Sequence, residues 1–331
     1  MVELKTARGL WPLSVLAFCQ VLAACVSTPP VIVSDPVPAP IVSAPTPEPV
    51  VAPPVRTAIL ISNDTPGYQV VANKIAQRLS EDEHRIFNLD GNPANGSRVL
   101  KKLAEFAPDQ LIAVGLLAAT TGRQMPELPM IFCRVFNYQD HDLISPTSAG
   151  VKLLPPFALQ LQAWTTLAPD LKTIGIITGP GQDDLITEIT AAARQFDIEI
   201  LSRSVRTDKG TLFEFKRLVP LIQGFWILPD NRILSVPVLK ELMAYGIKHD
   251  KQIVVFNEKL LKFGALLSVT SNDADVADQV VNLLRENPFG GTAARPRMTP
   301  LTDMRIELNT QVAQELGLIT TPQFNRFLPA N

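Results

Sequence analysis

The sequence contains two successive series in which short apolar runs alternate with segments of helical periodicity. The runs lie at 57–62, 85–89, 110–114 and 130–135 in the first series, and at 172–177, 199–202, 225–228 and 252–256 in the second. Runs that are apolar throughout, rather than at every second position, are typical of strands buried on both faces of a parallel sheet. Helices between such strands supply the crossovers that parallel pairing needs. The sequence therefore predicts an α/β fold with two parallel sheets, one in each lobe, and a central cleft between them.

The first 24 residues have the outline of a secretory signal peptide. Lys5 and Arg8 precede an apolar run at 10–24, which Pro12 interrupts early. A membrane-spanning helix needs roughly 20 apolar residues, so this run is too short to serve as one. We therefore expect residues 1–24 to be removed during export.

The run ends in Leu22-Ala23-Ala24-Cys25, which resembles the lipobox of bacterial lipoproteins at every position. The resemblance implies that Cys25 begins the mature chain and carries acyl chains such as palmitate. Two or more acyl chains hold a protein stably to a membrane without a spanning segment. Val26 favours the outer membrane, since Asp at that position resembles the inner-membrane retention signal of enteric bacteria. The alternative is an ordinary signal peptide in which Cys25 is incidental.

The segment after Cys25 is rich in proline, and about every third residue from 26 to 55 is one. Such a segment favours extended polyproline II, and at about 3.1 Å per residue it reaches on the order of 90 Å. The sequence thus predicts four parts. They are the signal peptide at 1–24, the lipidated cysteine and linker at 25–56, lobe 1 at 57–145 with part of the C-terminal segment, and lobe 2 at 146–331 with the crossover and C-terminal segments.

Composition and motifs argue against several functional classes. A formal net charge of −2 disfavours nucleic-acid binding, which relies on clustered Lys and Arg. His84, His141 and His249 lie far apart in the sequence, so we expect no metal site. After export Cys133 has no intramolecular partner, and its apolar neighbours predict a buried thiol. The sequence has no catalytic, phosphate-binding or dinucleotide-binding signature, so we expect neither an enzyme nor a bound cofactor.

Short polar side chains or glycines follow nearly every predicted strand. In parallel sheets ligands bind at the carboxyl ends of strands, so these residues are the candidates for contacts with a small-molecule ligand. They are Asn63, Asp64, Gly115, Arg134, Asn137, Thr178, Asp230, Asn231, Asn257 and Thr270. The alternative is that such residues simply form turns and helix caps.

Five stretches between 129 and 318 carry a family resemblance. They are LQAWTTLAPDLKTIG at 161–175, FWILPDN at 225–231, AYGIKHDKQIVVFN at 244–257, FGALLS at 263–268 and MRIELNTQVAQELGL at 304–318. In order and spacing they resemble the type I periplasmic binding proteins of ABC uptake systems, in the group that includes tryptophan and tyrosine transport lipoproteins. The resemblance implies a type I periplasmic binding protein-like fold with two Rossmann-like lobes, a small-molecule ligand such as an amino acid, and an ABC permease as partner.

The resemblance also assigns a role to the turn formed by Pro229, Asp230 and Asn231, which lines the cleft in relatives. An aspartate there would pair with a substrate ammonium group. The first lobe departs from the family pattern at 134–137 and 147–151, which places the usual ligand contacts on that side in doubt. Arg134, if it faces the cleft, would hold a carboxylate; the alternative is a surface arginine on an edge strand.

Two functional hypotheses follow from these observations. The first is an extracytoplasmic, lipid-anchored solute-binding protein that closes around a small polar solute and delivers it to a permease. The second is an outer-membrane lipoprotein that has kept the binding-protein fold for an interaction, sensing or envelope role without transport. The altered first lobe, the long linker and Val26 motivate the second.

Overall fold

The computed structural model describes residues 55–79, 83–289 and 297–329. The predicted signal peptide, the lipidation site at Cys25 and nearly all of the predicted linker lie outside the described residues. Within them, no helix is both long and apolar enough to cross a bilayer.

The described strands follow the apolar runs. In chain order they are β1 (Thr57–Ile61), β2 (His84–Asn88), β3 (Gln110–Val114), β4 (Met130–Cys133), β5 (Ser148–Val151), β6 (Thr173–Thr178), β7 (Glu199–Ser204), β8 (Gly224–Trp226), β9 (Gln252–Val255), β10 (Leu267–Ser271), β11 (Met298–Thr299) and β12 (Met304–Leu308). β1 and β4 are buried at every position, as expected for strands covered on both faces.

The described helices alternate with these strands. They are α1 (Pro66–Arg78), α2 (Gly96–Phe106), α3 (Leu116–Gly122), α4 (Phe157–Leu167), α5 (Asp183–Ala193), α6 (Asp208–Leu218), α7 (Val236–Lys248), α8 (Asp273–Arg285), α9 (Thr310–Glu315) and α10 (Pro322–Asn325). Short 3-10 helices lie at Pro93–Asn95, Gln139–His141, Arg194–Phe196, Val219–Leu221 and Glu258–Phe263.

The strands form two six-stranded sheets, which confirms the predicted two-lobed α/β fold. The sheet of lobe 1 has the order β11-β5-β4-β3-β1-β2, and that of lobe 2 has the order β12-β10-β9-β8-β6-β7. All neighbours in the first sheet are parallel, while β12 pairs antiparallel with β10 in the second. α1 and α3 in lobe 1, and α5 and α7 in lobe 2, each connect two neighbouring parallel strands, as the alternation of runs and helical segments predicts.

Three crossings connect the lobes. The first, residues 152–156, leads from β5 to α4; the second, Asn272, leads from β10 to α8; the third, residues 300–303, leads from β11 to β12. α8 therefore belongs to lobe 1, where it shares an apolar core with α1 and β1. The sequence predicted a crossover and a shared C-terminal segment within 146–331 but not the positions of the crossings, because each is too short to stand out in composition.

Both sheets are covered on both faces by apolar clusters. In lobe 1, α1 and α8 cover one face while α2 and α3 cover the other. In lobe 2, α4, α5 and α9 cover one face, and α6 and α7 cover the other. The Trp164 ring packs directly on β8, where a Cβ on Gly224 would lie 2.4 Å from it. Its indole nitrogen donates a hydrogen bond to Gln252 at 2.7 Å, so this buried polar group is satisfied.

Candidate functional site

Polar residues from both lobes meet where the central strands end. Asn137, which follows β4 in lobe 1, donates from Nδ2 to Oδ1 of Asp230 at 3.5 Å. Gln182 of lobe 2 donates from Nε2 to Oδ1 of Asn137 at 3.3 Å. All three side chains are buried. A buried polar contact between lobes is therefore present at the place where the strand ends predict a ligand site.

Asp230 is the most enclosed member of this group, with no solvent exposure. Its carboxylate accepts hydrogen bonds from the Gly179 amide at 3.0 Å and from the Arg232 amide at 3.1 Å. It also accepts from Nε of Arg232 at 2.8 Å and from Nη2 at 2.6 Å. Burial alone would raise the pKa of Asp230, but the hydrogen bonds from Arg232 and Gly179 outweigh it and lower this pKa. Asp230 is thus an ionised, fully partnered carboxylate.

The guanidinium of Arg232 that binds Asp230 also contacts lobe 1. Its Nη1 donates to Oδ2 of Asp140 in lobe 1 at 2.6 Å and to the Pro180 carbonyl at 3.1 Å. The hydrogen bond to Asp230 is the main reason that the pKa of Arg232 is raised. The guanidinium therefore lies between one carboxylate of each lobe. We call the ion-pair chain Asp230, Arg232 and Asp140 the interlobe bridge.

Arg134 directly follows β4, which is a central strand between β3 and β5. Its backbone is left-handed, with φ of 61°, a conformation that is strained for a residue with a Cβ. Nη1 donates to Oγ of Ser271 at 2.7 Å, and Nη2 binds Asp273 at the start of α8. Nε is buried and has no partner among the described residues. Arg134 thus braces the second crossing and keeps one N–H group unpaired.

Gly115 follows β3, and its amide donates a hydrogen bond to the Cys133 carbonyl at 2.9 Å. Its φ is 91°, and a Cβ there would lie 2.6 Å from Oγ of Ser62 and 2.9 Å from the Tyr68 ring. The Ser62 hydroxyl donates to the Val114 carbonyl at 3.1 Å and accepts from the Ala118 amide at 3.0 Å, so it caps α3. Burial raises the pKa of Tyr68, and the charge of Arg134 opposes that rise. Glycine is required here by both space and backbone conformation.

The other predicted ligand residues lie at strand ends but are not joined to this network. Asn63 accepts the Thr65 amide at 2.9 Å, and Asn257 accepts the Lys259 amide at 2.9 Å, which are turn and cap contacts. Asp64 accepts hydrogen bonds from Gln69 and Asn88. Thr178 is buried, Thr270 is partly buried and Asn231 is exposed. Their role as ligand contacts stays a prediction.

A cavity of about 420 Å³ lies beside the first crossing. It is bounded by the segment after β4, by the first and third crossings and by α5. We call it the hinge cavity, and its wall includes Phe136, Tyr138, Leu154, Phe157, Leu185 and Ala192. An ion pair between Lys152 and Glu188, with an N–O distance of 2.7 Å, is also part of its wall. None of the ten strand-end candidates lines this cavity.

Sequence reasoning did not identify Arg232, Asp140 or Gln182 as members of the site. Arg232 lies only two positions after Asp230 in the sequence. A cationic residue so close to a predicted ligand-binding aspartate could have indicated an ion pair between them. Asp140 and Gln182 gave none, because their contact depends on how the lobes face each other. Within the described residues, no group of three or more His, Cys, Asp or Glu side chains is placed to hold a metal ion.

The fold defines the class of this molecule: a type I periplasmic binding protein-like arrangement of two wound lobes joined by three crossings. No family model and no curated protein matches the sequence. Solved structures do match. A structure described as the ABC domain in complex with L-Trp, from Streptococcus pneumonia, is 17% identical with a TM-score of 0.58. The ligand-free, open form of a substrate-binding protein with adhesive properties from Clostridium difficile is 13% identical with a TM-score of 0.62.

A conserved domain protein from Vibrio cholerae is similar in the same way, with 14% identity and a TM-score of 0.57. Each of these three alignments covers 83% of this chain and 98% of the other. At such low identities the likeness shows the fold.

Proposed function

We propose that this chain is an extracytoplasmic solute-binding lipoprotein of an ABC-type uptake system, which binds a small polar solute such as an amino acid between its lobes. The observation that carries the proposal is the meeting of buried polar strand ends from both lobes at Asn137 and Asp230. Lobes joined only by short crossings can open and close about them, and closure excludes water from a bound solute. Fold neighbours that bind L-Trp or are described as substrate-binding support this proposal.

The interlobe bridge determines how a solute would enter. Arg232 already holds Asp230, so a solute ammonium would reach that carboxylate only if Arg232 moved. The contact between Arg232 and Asp140 is more accessible, because both side chains are partly exposed. A solute carboxylate that replaces Asp140 on Arg232 keeps the guanidinium paired on both sides. Lobe opening would then exchange an internal ion pair for a solute contact at little electrostatic cost.

The anchoring and the partner are part of the same proposal. Removal of residues 1–24, lipidation of Cys25 and a linker at 25–56 would hold the two lobes well above an outer membrane. An ABC permease would receive the solute. Incorporation of labelled palmitate that is lost in Cys25→Ser tests the anchor directly.

A solute screen tests the binding function. The mature chain with Cys25→Ser is purified in soluble form, and its melting temperature is measured with amino acids, sugars, nucleosides and small carboxylates. A solute at a hundred times its Kd stabilises the folded state by about 2.7 kcal/mol, which is readily detected. Calorimetry then compares wild type with Arg232→Gln, for which we expect weaker binding, and with Arg326→Gln, an exposed control outside the site.

The absence of any binder would contradict solute capture. Together with fractionation to the outer membrane, it would favour an envelope or interaction role that keeps the fold without transport.

A further inference from the structure

The hinge cavity adjoins the polar strand ends through Gln182, which forms part of its wall, but none of the ten predicted ligand residues lines it. Its wall combines both lobes and two of the three crossings, since Phe136 follows β4, Leu154 lies in the first crossing, Leu301 lies in the third and Leu185 lies on α5. Its volume of about 420 Å³ falls in the range of small-molecule sites, which is about 300–1,000 Å³. The cavity is thus large enough for a single-ring or short-chain organic molecule.

The wall is mainly apolar. Phe136, Leu154 and Leu185 are partly buried and pack against the lobe 2 core, and Phe157 is a buried member of that core. Phe157 is itself fixed by an edge contact with Trp226 at 5.8 Å between ring centroids. A ligand that fits here must therefore bury an apolar or aromatic body.

The charges on the wall are unequal. Asp184 and Glu188 lie one turn apart on α5, and the one cationic side chain of the wall, Lys152, is paired with Glu188. No cation of the described residues pairs with Asp184, whose side chain is exposed at the cavity. The charged side chains of the wall therefore sum to one negative charge, and Asp184 lies in the first turn of α5, where the helix dipole favours its ionised form. Burial raises the pKa of Tyr138, which is also in the wall. The negative charges of Glu188 and Asp184 raise this pKa further.

We propose that the hinge cavity binds a protonated apolar monoamine, with its body between Phe136, Phe157 and Leu185 and its ammonium group toward Asp184. An amino acid is a poor ligand for this site, because its carboxylate would approach Asp184 and Glu188 while Lys152 is already engaged. A neutral analogue keeps the apolar contact but loses the charge-assisted hydrogen bond. This inference goes beyond the proposed function, since the cavity shares only Gln182 with the strand-end site and needs no permease.

A matched ligand series tests the charge requirement by calorimetry on the soluble mature chain. The probes are 2-phenylethylamine, 2-phenylethanol, 3-phenylpropionate and phenylalanine, which share one ring and differ in charge. We expect 2-phenylethylamine to bind about threefold more tightly than 2-phenylethanol, because an ion pair with an exposed carboxylate is screened by solvent. We expect the two carboxylates to bind more weakly still. Equal binding of the amine and the alcohol, or no binding of the amine at millimolar concentration, overturns the proposal.

Paired variants locate the binding. Asp184→Asn should weaken 2-phenylethylamine about threefold and leave 2-phenylethanol unchanged. Asp183→Asn removes a carboxylate from the same helical turn but from outside the cavity, and it should change neither. Ala191→Trp fills the cavity from an exposed position and should abolish binding; Ala244→Trp, on the exposed side of α7, is its control. Amine binding that survives both Asp184→Asn and Ala191→Trp would place it elsewhere and refute the assignment. A failed solute screen does not affect these measurements, so the two proposals fail separately.

Discussion

The carboxylate of Asp230 accepts two hydrogen bonds from the guanidinium of Arg232, only two residues further along the chain, at 2.8 and 2.6 Å. The pair is local in sequence, yet it is enclosed by Gly179 of the same lobe and by Asn137 of the other. A charge pair this enclosed is coupled both to the stability of lobe 2 and to the position of lobe 1.

Removing one partner of this pair should destabilise the domain strongly. Arg232→Met leaves a fully buried carboxylate without its cation, which typically costs about 3–5 kcal/mol. Adding Asp230→Asn should cost much less than the sum of the two single changes, because the second change removes the unpaired charge. Urea denaturation of the four proteins in this cycle measures the coupling. Additive losses would show that the two side chains act independently.

Breaking the interlobe contact should open the lobes without unfolding them. Asp140→Asn removes the carboxylate that binds Arg232 at 2.6 Å. We expect small-angle X-ray scattering to give a larger radius of gyration. The loss of stability should be only about 0.5–1 kcal/mol, because this ion pair is partly exposed. Asp142→Asn is the matched control, because Asp142 lies in the same exposed loop and its side chain has no ion-pair partner among the described residues. An unchanged scattering curve for Asp140→Asn would show that the interlobe bridge does not hold the lobes together.

Stability should fall in acid through two carboxylates. Burial opposes ionisation of both Asp230 and Asp275, but hydrogen bonds from Arg232 and from Thr302, respectively, leave both pKa values below the ordinary 3.8. A group with a depressed folded pKa contributes stability that is present above its unfolded pKa and is lost as pH falls through the folded value. The free-energy gap between wild type and Asp230→Asn should therefore shrink below about pH 3.8. Denaturation at pH 7, 5, 4 and 3 measures it, and a gap independent of pH would contradict the assignment.

Glycine at 115 should be much harder to replace than glycine at 181. Both have positive φ, 91° and 76°, but a Cβ at Gly181 meets nothing within 4 Å, while one at Gly115 meets Ser62 and Tyr68. We expect Gly181→Ala to cost about 1 kcal/mol from backbone strain alone, and Gly115→Ala about 3 kcal/mol or more. The shift of each urea midpoint tests this order. Similar losses would show that the contact with Ser62 relaxes freely.

The thiol of Cys133 should be inert in the folded protein. Burial raises its pKa to about 12, although the charge of Arg134 opposes this. Thiolate is the reactive form, so an aromatic disulfide reagent at pH 8 should label the folded Cys25→Ser chain only as fast as it opens, and label the denatured chain at once. Rapid labelling under native conditions would indicate that β4 is exposed or mobile.

The main elements of the fold could be read from the sequence because burial on both sheet faces leaves uninterrupted apolar runs. β3 coincides with the predicted run at 110–114, and the two-lobed class is confirmed. β4 ends at Cys133, two residues earlier than its apolar run, because Arg134 turns into the left-handed region. β5 was hidden in the segment between the two series, since four residues of small side chains leave little periodic signal.

The sequence by itself determined the elements, their alternation and the polar character of the strand ends, because these depend on short-range periodicity and on which side chains must avoid water. Only the tertiary structure decided that Asp230 forms an ion pair with Arg232, that Arg134 forms one with Asp273, and that an apolar cavity lies beside the first crossing. Those relationships join residues through the packing of two lobes and three short crossings. The strength of each contact depends on distance and burial, neither of which is written in the local order of residues.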